Sequence, residues 1–559
     1  MNENVLFINF NKDYCKSSEE VLNSTLFKRI LLSFITRLDK NEVYWWCEFR
    51  HDFKYSKKDL AQKFTDLFKL CSVYNYIELK HEFLLHRKTC IRFLEELYDY
   101  YRKFERYSIM YQRSNKGYEN TSFVDADSEF NELLRSTYRR VYSSLMGEPY
   151  KVYRQLAEAT SAGVVIEPNT LTNVPYKNLN RVSLVSTVLM HVPFILYTKN
   201  NKRRGVFPHV NYNVIEGLKL PTNEFLCYPI MIGKSLAFVY IHKDYTNMLI
   251  SLANLFQPAS NYKDKKPDLI LVYGAKDAKS DVCEFSYDEK NDIYLGVAPY
   301  GDEITYFGYM KKMLLTLHNT KCIHEGGLPI HGAMASFVLK DHSTFNVVIM
   351  GDSGAGKSET LETLRRFAGD EIVDINTIFD DMGTFYIKDD KVIAHGTEIG
   401  AFVRLDDLDS SYAYRQIERS VFLSPDQLNA RVIVPAVYYN DVIKNHKVDL
   451  FLYANNYSDK HGIKLFDNLE EAKVTFKEGK RKAAATTVEQ GLLTSYFANP
   501  FGPVQHQDVC NPLIDTMFKE LYNTNVPVGE MYTRLSLEGK EGPVSAAQEL
   551  CNIILRRNK

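Results

Sequence analysis

Residues 351–358 read Gly-Asp-Ser-Gly-Ala-Gly-Lys-Ser, followed by Glu359, and match the spacing GxxxxGK[ST]. Each part of that spacing serves phosphate binding. Gly351, Asp352, Ser353, Gly354, Ala355 and Gly356 are mostly small, so successive backbone N–H groups can curl around phosphate oxygens. Lys357 meets the β- and γ-phosphate charge, and the Ser358 hydroxyl reaches Mg2+. The flanks agree. Phe345-Asn-Val-Val-Ile-Met350 is an apolar strand run leading in, and Glu359-Thr-Leu-Glu-Thr-Leu-Arg-Arg366 is helix-forming and leads out. A helix begun there points its positive N-terminal end at the phosphates. A glycine-rich turn that merely packs needs none of this context. Residues 351–359 are therefore expected to hold a nucleotide.

The rest of the chain has ordinary globular composition. Its 559 residues are 45% hydrophobic and 25% charged, enough for about three or four domains and against wholesale disorder. Lys and Arg total 69 against 70 Asp and Glu, for a net charge of −1. That balance argues against binding nucleic acid through phosphate electrostatics, which leaves a basic excess. Nine cysteines run from Cys15 to Cys551 without a CxxC pair, the pattern of reduced thiols. The N-terminus has neither the basic start nor the small-residue cleavage site of a signal peptide. The most apolar run, Phe225 to Ile241, is broken by Gly233 and Lys234. A cytoplasmic location without membrane attachment is expected.

Three regions follow from pattern changes. Residues 1–164 are expected to be helical: Phe130, Leu133, Leu134, Val141 and Leu145 share one helix face, with Glu132, Arg135, Arg139 and Arg140 opposite. Arg102, Lys103 and Arg106 sit beside tyrosines and are expected to form a solvated helix edge. Residues 165–262 are expected to form a small α+β domain of GAF-like, sensor type. Its strands are Pro193–Tyr197, Arg203–Phe207, Phe225–Ile232 and Ser235–Ile241, with hairpin turns at Asn200-Asn201 and Gly233-Lys234 and a helix near Tyr245–Phe256. The polar stretch Lys263-Asp-Lys-Lys-Pro267 is the expected boundary to a third region, residues 263–559.

A phosphate loop does not choose a reaction, so its neighbours must. Lys266-Pro-Asp-Leu-Ile-Leu-Val-Tyr-Gly-Ala-Lys276, Thr305-Tyr-Phe-Gly-Tyr-Met-Lys-Lys312 and Ile330-His-Gly-Ala-Met-Ala335 precede it in that order, and Leu428-Asn-Ala-Arg-Val-Ile-Val-Pro435 follows. In residues and order these resemble the catalytic domain of ATP-type phosphoenolpyruvate carboxykinase, over about residues 265–559. The loop itself also resembles that of HPr kinase/phosphorylase, a family without the paired lysines. The resemblance implies an α/β P-loop catalytic domain of carboxykinase-like type, using ATP or GTP with Mg2+ and Mn2+. It implies that Lys312 and His331 hold Mn2+ between substrate and γ-phosphate, with Ser358 and Asp374 completing the metal set. Lys311 would sit beside the transferring phosphoryl group, Tyr306 would edge the substrate pocket, and Arg431 would bridge substrate and γ-phosphate. The chemistry is reasonable, since a lysine serves as ligand only when neutral, and burial near a cation favours that form.

Three departures bear on the acceptor. The family's adjacent aspartates align with Glu371–Phe379, where Asp374 keeps the first position and Ile375 replaces the second. Either Asp374 takes over the metal, or the metal is held more loosely. Gly539-Lys-Glu-Gly-Pro-Val544 stands for the family's adenine-side segment but lacks its arginine. No N-terminal segment matches the one that grips the substrate carboxylate. The expected activity is metal-dependent phosphoryl transfer to a small metabolite, with nucleotide and acceptor as the partners. The alternatives are a genuine carboxykinase (oxaloacetate and ATP to phosphoenolpyruvate, CO2 and ADP), an HPr-kinase-like protein kinase, and a nucleotide-binding regulator with little turnover.

Overall fold

The computed structural model describes residues 5–10, 15–102, 104–110, 119–147, 152–153, 162–190, 193–351, 355–357, 360, 363–364, 371–405, 419–482, 491–535 and 543–556. The chain is mixed α/β and divides into two compact units, Met1–Lys151 and Val152–Lys559. The smaller unit therefore ends short of the expected residue 164.

Helices dominate the first unit: Thr25–Lys40, Tyr44–Asp52, Lys57–Cys71, Arg87–Arg102 and Glu119–Met146 are its longer ones. Ser24 and Ser56 cap two of them by accepting from Phe27 N–H and Asp59 N–H, which satisfies donors that the first helical turn leaves open. Leu60, Phe64, Leu67 and Phe68 recur at helical spacing and are buried. Around them Trp46 stacks on Phe49 and Phe93, and Phe64 lies 3.8 Å from Phe93, ring to ring. Phe130, Val141 and Leu145 face this core, while Arg135 pairs with Glu132. Two features depart from the expectation. Val5–Phe10 and Glu105–Met110 form a parallel strand pair. Arg102 is a packed residue, its side chain 7% exposed, ion-paired to Asp99 and lying over the Tyr98 ring. Lys103 falls outside the described residues.

In the second unit the elements that place the site are, in chain order, β1 (Leu184–Met190), β2 (Phe194–Leu196), β3 (Phe225–Ile232), β4 (Ser235–His242), α1 (Thr246–Leu255), β5 (Leu269–Ala275), β6 (Ile293–Pro299) and α2 (Phe307–His324). After these come β7 (Leu328–Leu339), β8 (Thr344–Met350), β9 (Ile372–Lys388), β10 (Lys391–Gly396), β11 (Gly400–Arg404), β12 (Val421–Leu423), β13 (Arg431–Pro435), β14 (Leu450–Asn455), α3 (Gln507–Asn523), β15 (Val528–Tyr532) and α4 (Val544–Arg556). One mixed sheet runs β6-β5-β4-β3-β1, and a second runs β10-β9-β7-β8-β14-β15. A third, of four strands, is ordered β11-β13-β12-β2.

The hairpin β3–β4 forms as expected, because Gly233 at φ 53° accepts the turn that a Cβ would strain. The boundary expected at 262/263 does not interrupt the fold. Strand β5 pairs in parallel with β4, so β4, α1 and β5 make one crossover unit, and Lys263–Pro267 is a loop inside it. Residues 165–262 thus share a sheet with residues 269–299 and are not a separate layer. Nor is Arg203–Phe207 a strand. Strand β2 pairs with β12, 225 or more residues later, so no hairpin closes at Asn200-Asn201. Asn200 instead bonds to Thr305 and Glu303, and Phe207 is buried.

Helix α2 is buried on nearly every side, between β5 and β6 of one sheet and β7 and β9 of the next. That is why its polar residues, Lys311 among them, sit out of water. Strands β7 and β8 are also buried, β7 over its whole length. Continuous apolar runs of this kind belong to strands covered on both faces. Among the described residues, no helix is long and apolar enough to cross a membrane.

Candidate functional site

The glycine-rich loop leaves β8 where the register of three strands fixes its neighbours. Gly332 of β7 lies opposite Met350 of β8, and opposite Asp381 of β9 on its other side. The loop's first amide, Gly351 N–H, donates to the His331 carbonyl at 2.9 Å. Lys357 is 7% exposed and donates back to the Gly351 carbonyl at 2.6 Å. From the far side Thr533, just after β15, donates its hydroxyl to the Ala355 carbonyl at 2.7 Å. Gly356 has φ 94° and no room for a Cβ, which would come 2.6 Å from that of Thr533. Asp352, Ser353, Gly354, Ser358 and Glu359 fall outside the described residues, as do Gly539 to Gly542.

Beside the loop five ionisable groups meet. Asp381 Oδ2 is 2.6 Å from both Lys311 Nζ and Lys312 Nζ, and Oδ1 is 3.0 Å from His331 Nε2. Glu398 Oε1 lies 2.8 Å from Lys311. The paired lysines occupy the second turn of α2, near its positive end, and its first turn holds no acidic residue. The two carboxylates offset that unfavourable placement. The Lys311 contacts are ion pairs at short range that are not aligned as hydrogen bonds, and among the described residues its fully buried ammonium has no aligned hydrogen-bond partner.

This arrangement splits the two lysines. Burial disfavours the Lys311 charge, but Asp381 and then Glu398 overcome that, and its ammonium is held above the usual lysine value. For Lys312 burial dominates. Asp381 opposes it, Lys311 adds repulsion, and the amine is pushed down to about 8. Asp381 is resisted by burial yet held well below the carboxylate range by Lys311, Lys312 and His331. Burial raises the Glu398 carboxyl, with Lys311 pulling the other way.

The donor set suits a divalent cation on chemical grounds. His331 Nδ1 lies 2.9 Å from the Ala498 carbonyl, which can only accept, so Nδ1 carries a proton and Nε2 is the nitrogen left facing the Asp381 carboxylate. A proton or a cation must stand between Nε2 and that carboxylate. Lys312, with its lowered affinity for protons, can supply a third donor. Among the described residues, no group of three His, Cys, Asp or Glu side chains converges on one point. The set is thus one imidazole, one carboxylate and an amine. The backbone supporting it is strained: Asp381 has φ 151°, Phe497 51° and Ala498 44°, settings that favour glycine.

Two aromatic rings extend the site. Lys311 Nζ and the Arg431 guanidinium lie 5.2 and 5.3 Å from the Phe402 ring centre, and Tyr306 lies 6.4 Å from the same ring. Arg431 bonds to Asn429 at 2.9 Å, while its buried Nε has no hydrogen-bond partner among the described residues. Lys312 and Arg203 lie 4.5 and 4.9 Å from the Phe501 ring. The fold therefore gathers Tyr306, Lys311 and Arg431 around Phe402, and Lys311, Lys312 and His331 around Asp381, with the His331 carbonyl bonded to Gly351.

It does not bring Asp374. That residue pairs with Val338, six positions along β7 from Gly332, or roughly 20 Å at the rise of a strand. Its Oδ1 accepts from Ile375 N–H at 2.9 Å. The carboxylate beside the lysines is Asp381, whose signal is the adjacent pair Asp380-Asp381 in Phe379-Asp-Asp-Met-Gly383. Glu398, Phe402, Phe501 and Arg203 carry no comparable motif. No model of a known protein family matches this chain, and no curated protein matches it.

Proposed function

We propose that the protein is a metal-dependent phosphotransferase of the phosphoenolpyruvate carboxykinase-like type, moving the terminal phosphate of ATP or GTP to a small anionic metabolite. The observation that carries this reading is the junction at His331. Its carbonyl holds the first amide of the phosphate loop, and its imidazole faces Asp381, the carboxylate that pairs with Lys311 and Lys312. Nucleotide phosphates and a cation set are thereby neighbours.

The chemistry asked of the chain is positioning and charge neutralisation. Lys357 and the loop amides would hold the phosphates. Lys311 and Arg431 would offset charge as the terminal P–O bond breaks, the nucleoside diphosphate leaves with the electron pair, and a bond forms to the acceptor oxygen. His331, Asp381 and Lys312 would hold Mn2+ or Mg2+, which bound there would supply further neutralisation at the phosphates. The cations around Phe402 and Phe501 favour an anionic acceptor. Arg203, over the same Phe501 ring as Lys312, also supports the second reading, in which the acceptor is the pyruvate enolate that oxaloacetate leaves when its C–C bond breaks and CO2 departs.

The test is a screen of cell-extract metabolites with γ-labelled ATP and Mn2+, wild type beside Lys357→Ala. Label on one metabolite, absent with the variant, is the expected result. Oxaloacetate-dependent ATP use would select the carboxykinase reaction. Labelling of a protein band, or nucleotide binding without any product, would overturn the proposal.

A further inference from the structure

Glu398 stands between β10 and β11 and is 2% exposed. Asp381 cannot hold Lys311 by itself, because its two oxygens already serve Lys312 and His331 as well. Among the described residues Glu398 is the carboxylate that touches Lys311 and neither of those two groups. Its other oxygen lies 3.1 Å from the Thr397 hydroxyl, which is also 3.1 Å from the Met382 carbonyl. The backbone is fixed on both sides. Gly233 N–H donates to the Thr397 carbonyl at 2.8 Å, and Ile399 N–H donates to the Leu255 carbonyl at 3.0 Å. The β3–β4 turn and the end of α1 thus brace the peptide that carries Glu398.

We propose that Glu398 is a positioning residue for phosphoryl transfer: it fixes the Lys311 ammonium over Phe402 and takes no part in binding nucleotide or metal. This rests on the reading of the site as a phosphotransferase. A buried ammonium whose contacts are not aligned hydrogen bonds is placed by where its counter-charges stand. Moving one of them moves the cation relative to the reacting phosphate, and small displacements of such groups are costly.

The experiment compares Glu398→Gln and Glu398→Asp with wild type. Gln keeps the size and the Thr397 contact but removes the charge. Turnover is expected to fall about 10- to 100-fold with Gln and to recover in part with Asp, while the affinity for a fluorescent ATP analogue stays within about twofold. A crystal structure of the Gln variant is expected to show the Lys311 ammonium displaced from the Phe402 ring. An unmoved ammonium, unchanged turnover, or nucleotide affinity lost in step with rate would each overturn the proposal. If Gln does not fold, Thr397→Val frees the second Glu398 oxygen and is read for the same displacement. Should wild type transfer phosphate to nothing, the phosphotransferase reading fails, while the position of Lys311 still decides what Glu398 does.

Discussion

Asp381 serves two ammonium groups and an imidazole with two oxygens, and does so from a backbone setting few side chains adopt. Replacing it should therefore be far more damaging than replacing its neighbour on the same strand. Asp381→Asn is expected to lower metal-dependent turnover by about 100-fold or more, and Asp374→Asn to leave it within about twofold. A Mn2+ titration of activity on both variants checks this. Lys312 adds a pH dependence. Its folded value of about 8 lies below that of an unfolded lysine, so between about 8 and 10.4 the unfolded chain binds more protons. Stability from this group then rises with pH across that window, and below it the full cost of burying an ammonium is present. Wild type minus Lys312→Met, by thermal melts from pH 7 to 10 (about the span of that window), should show the rise. Mn2+ affinity should increase about tenfold per pH unit below 8 and level off above. At this scale the sequence was partly legible: the loop, the lysine pair, His331 and Arg431 stood in ordered motifs. Asp381 was missed because the aligned stretch ended at Phe379, just before it. Glu398 has no local signature, since only the fold brings it to Lys311.

Elements show why the cluster holds its shape. At Gly332 a Cβ would come 2.5 Å from the Ile349 carbonyl and 3.1 Å from Met350 Cα, both backbone atoms. Gly332→Ala must therefore push β7 from β8 next to the glycine-rich loop. The expected loss is about 1–3 kcal/mol, read as a lower urea midpoint, together with weaker ATP binding. Gly308→Ala acts differently: its Cβ meets the Tyr306 ring at 2.4 Å, which a side chain can evade. That variant should keep its stability while altering acceptor saturation. Strand alternation and the Gly233 turn made β3 and β4 readable in advance. Arg203–Phe207 misled because its side chains face distant partners, Arg203 lying over Phe501 and Phe207 beside Tyr309, and no local pattern encodes those.

For the whole molecule the informative question is where the chain can be cut. Residues 1–151 bury an aromatic core of their own, so that fragment should melt cooperatively, and residues 152–559 should still bind ATP. Residues 263–559 alone should not fold, because β5 would lose β4 along a fully buried ladder. Circular dichroism melts of the three fragments settle the division. A polar, proline-ended segment looks the same whether it links domains or crosses between adjacent strands; pairing, which is non-local, distinguishes them.

Position 331 does its work twice, through its ring and through its peptide unit. Alanine scanning can strip away the imidazole, yet the carbonyl that anchors Gly351 survives every substitution. Any defect in His331→Ala therefore reports the ring's share alone. Probing the other half would take an amide-to-ester exchange at residue 351, which deletes that single N–H.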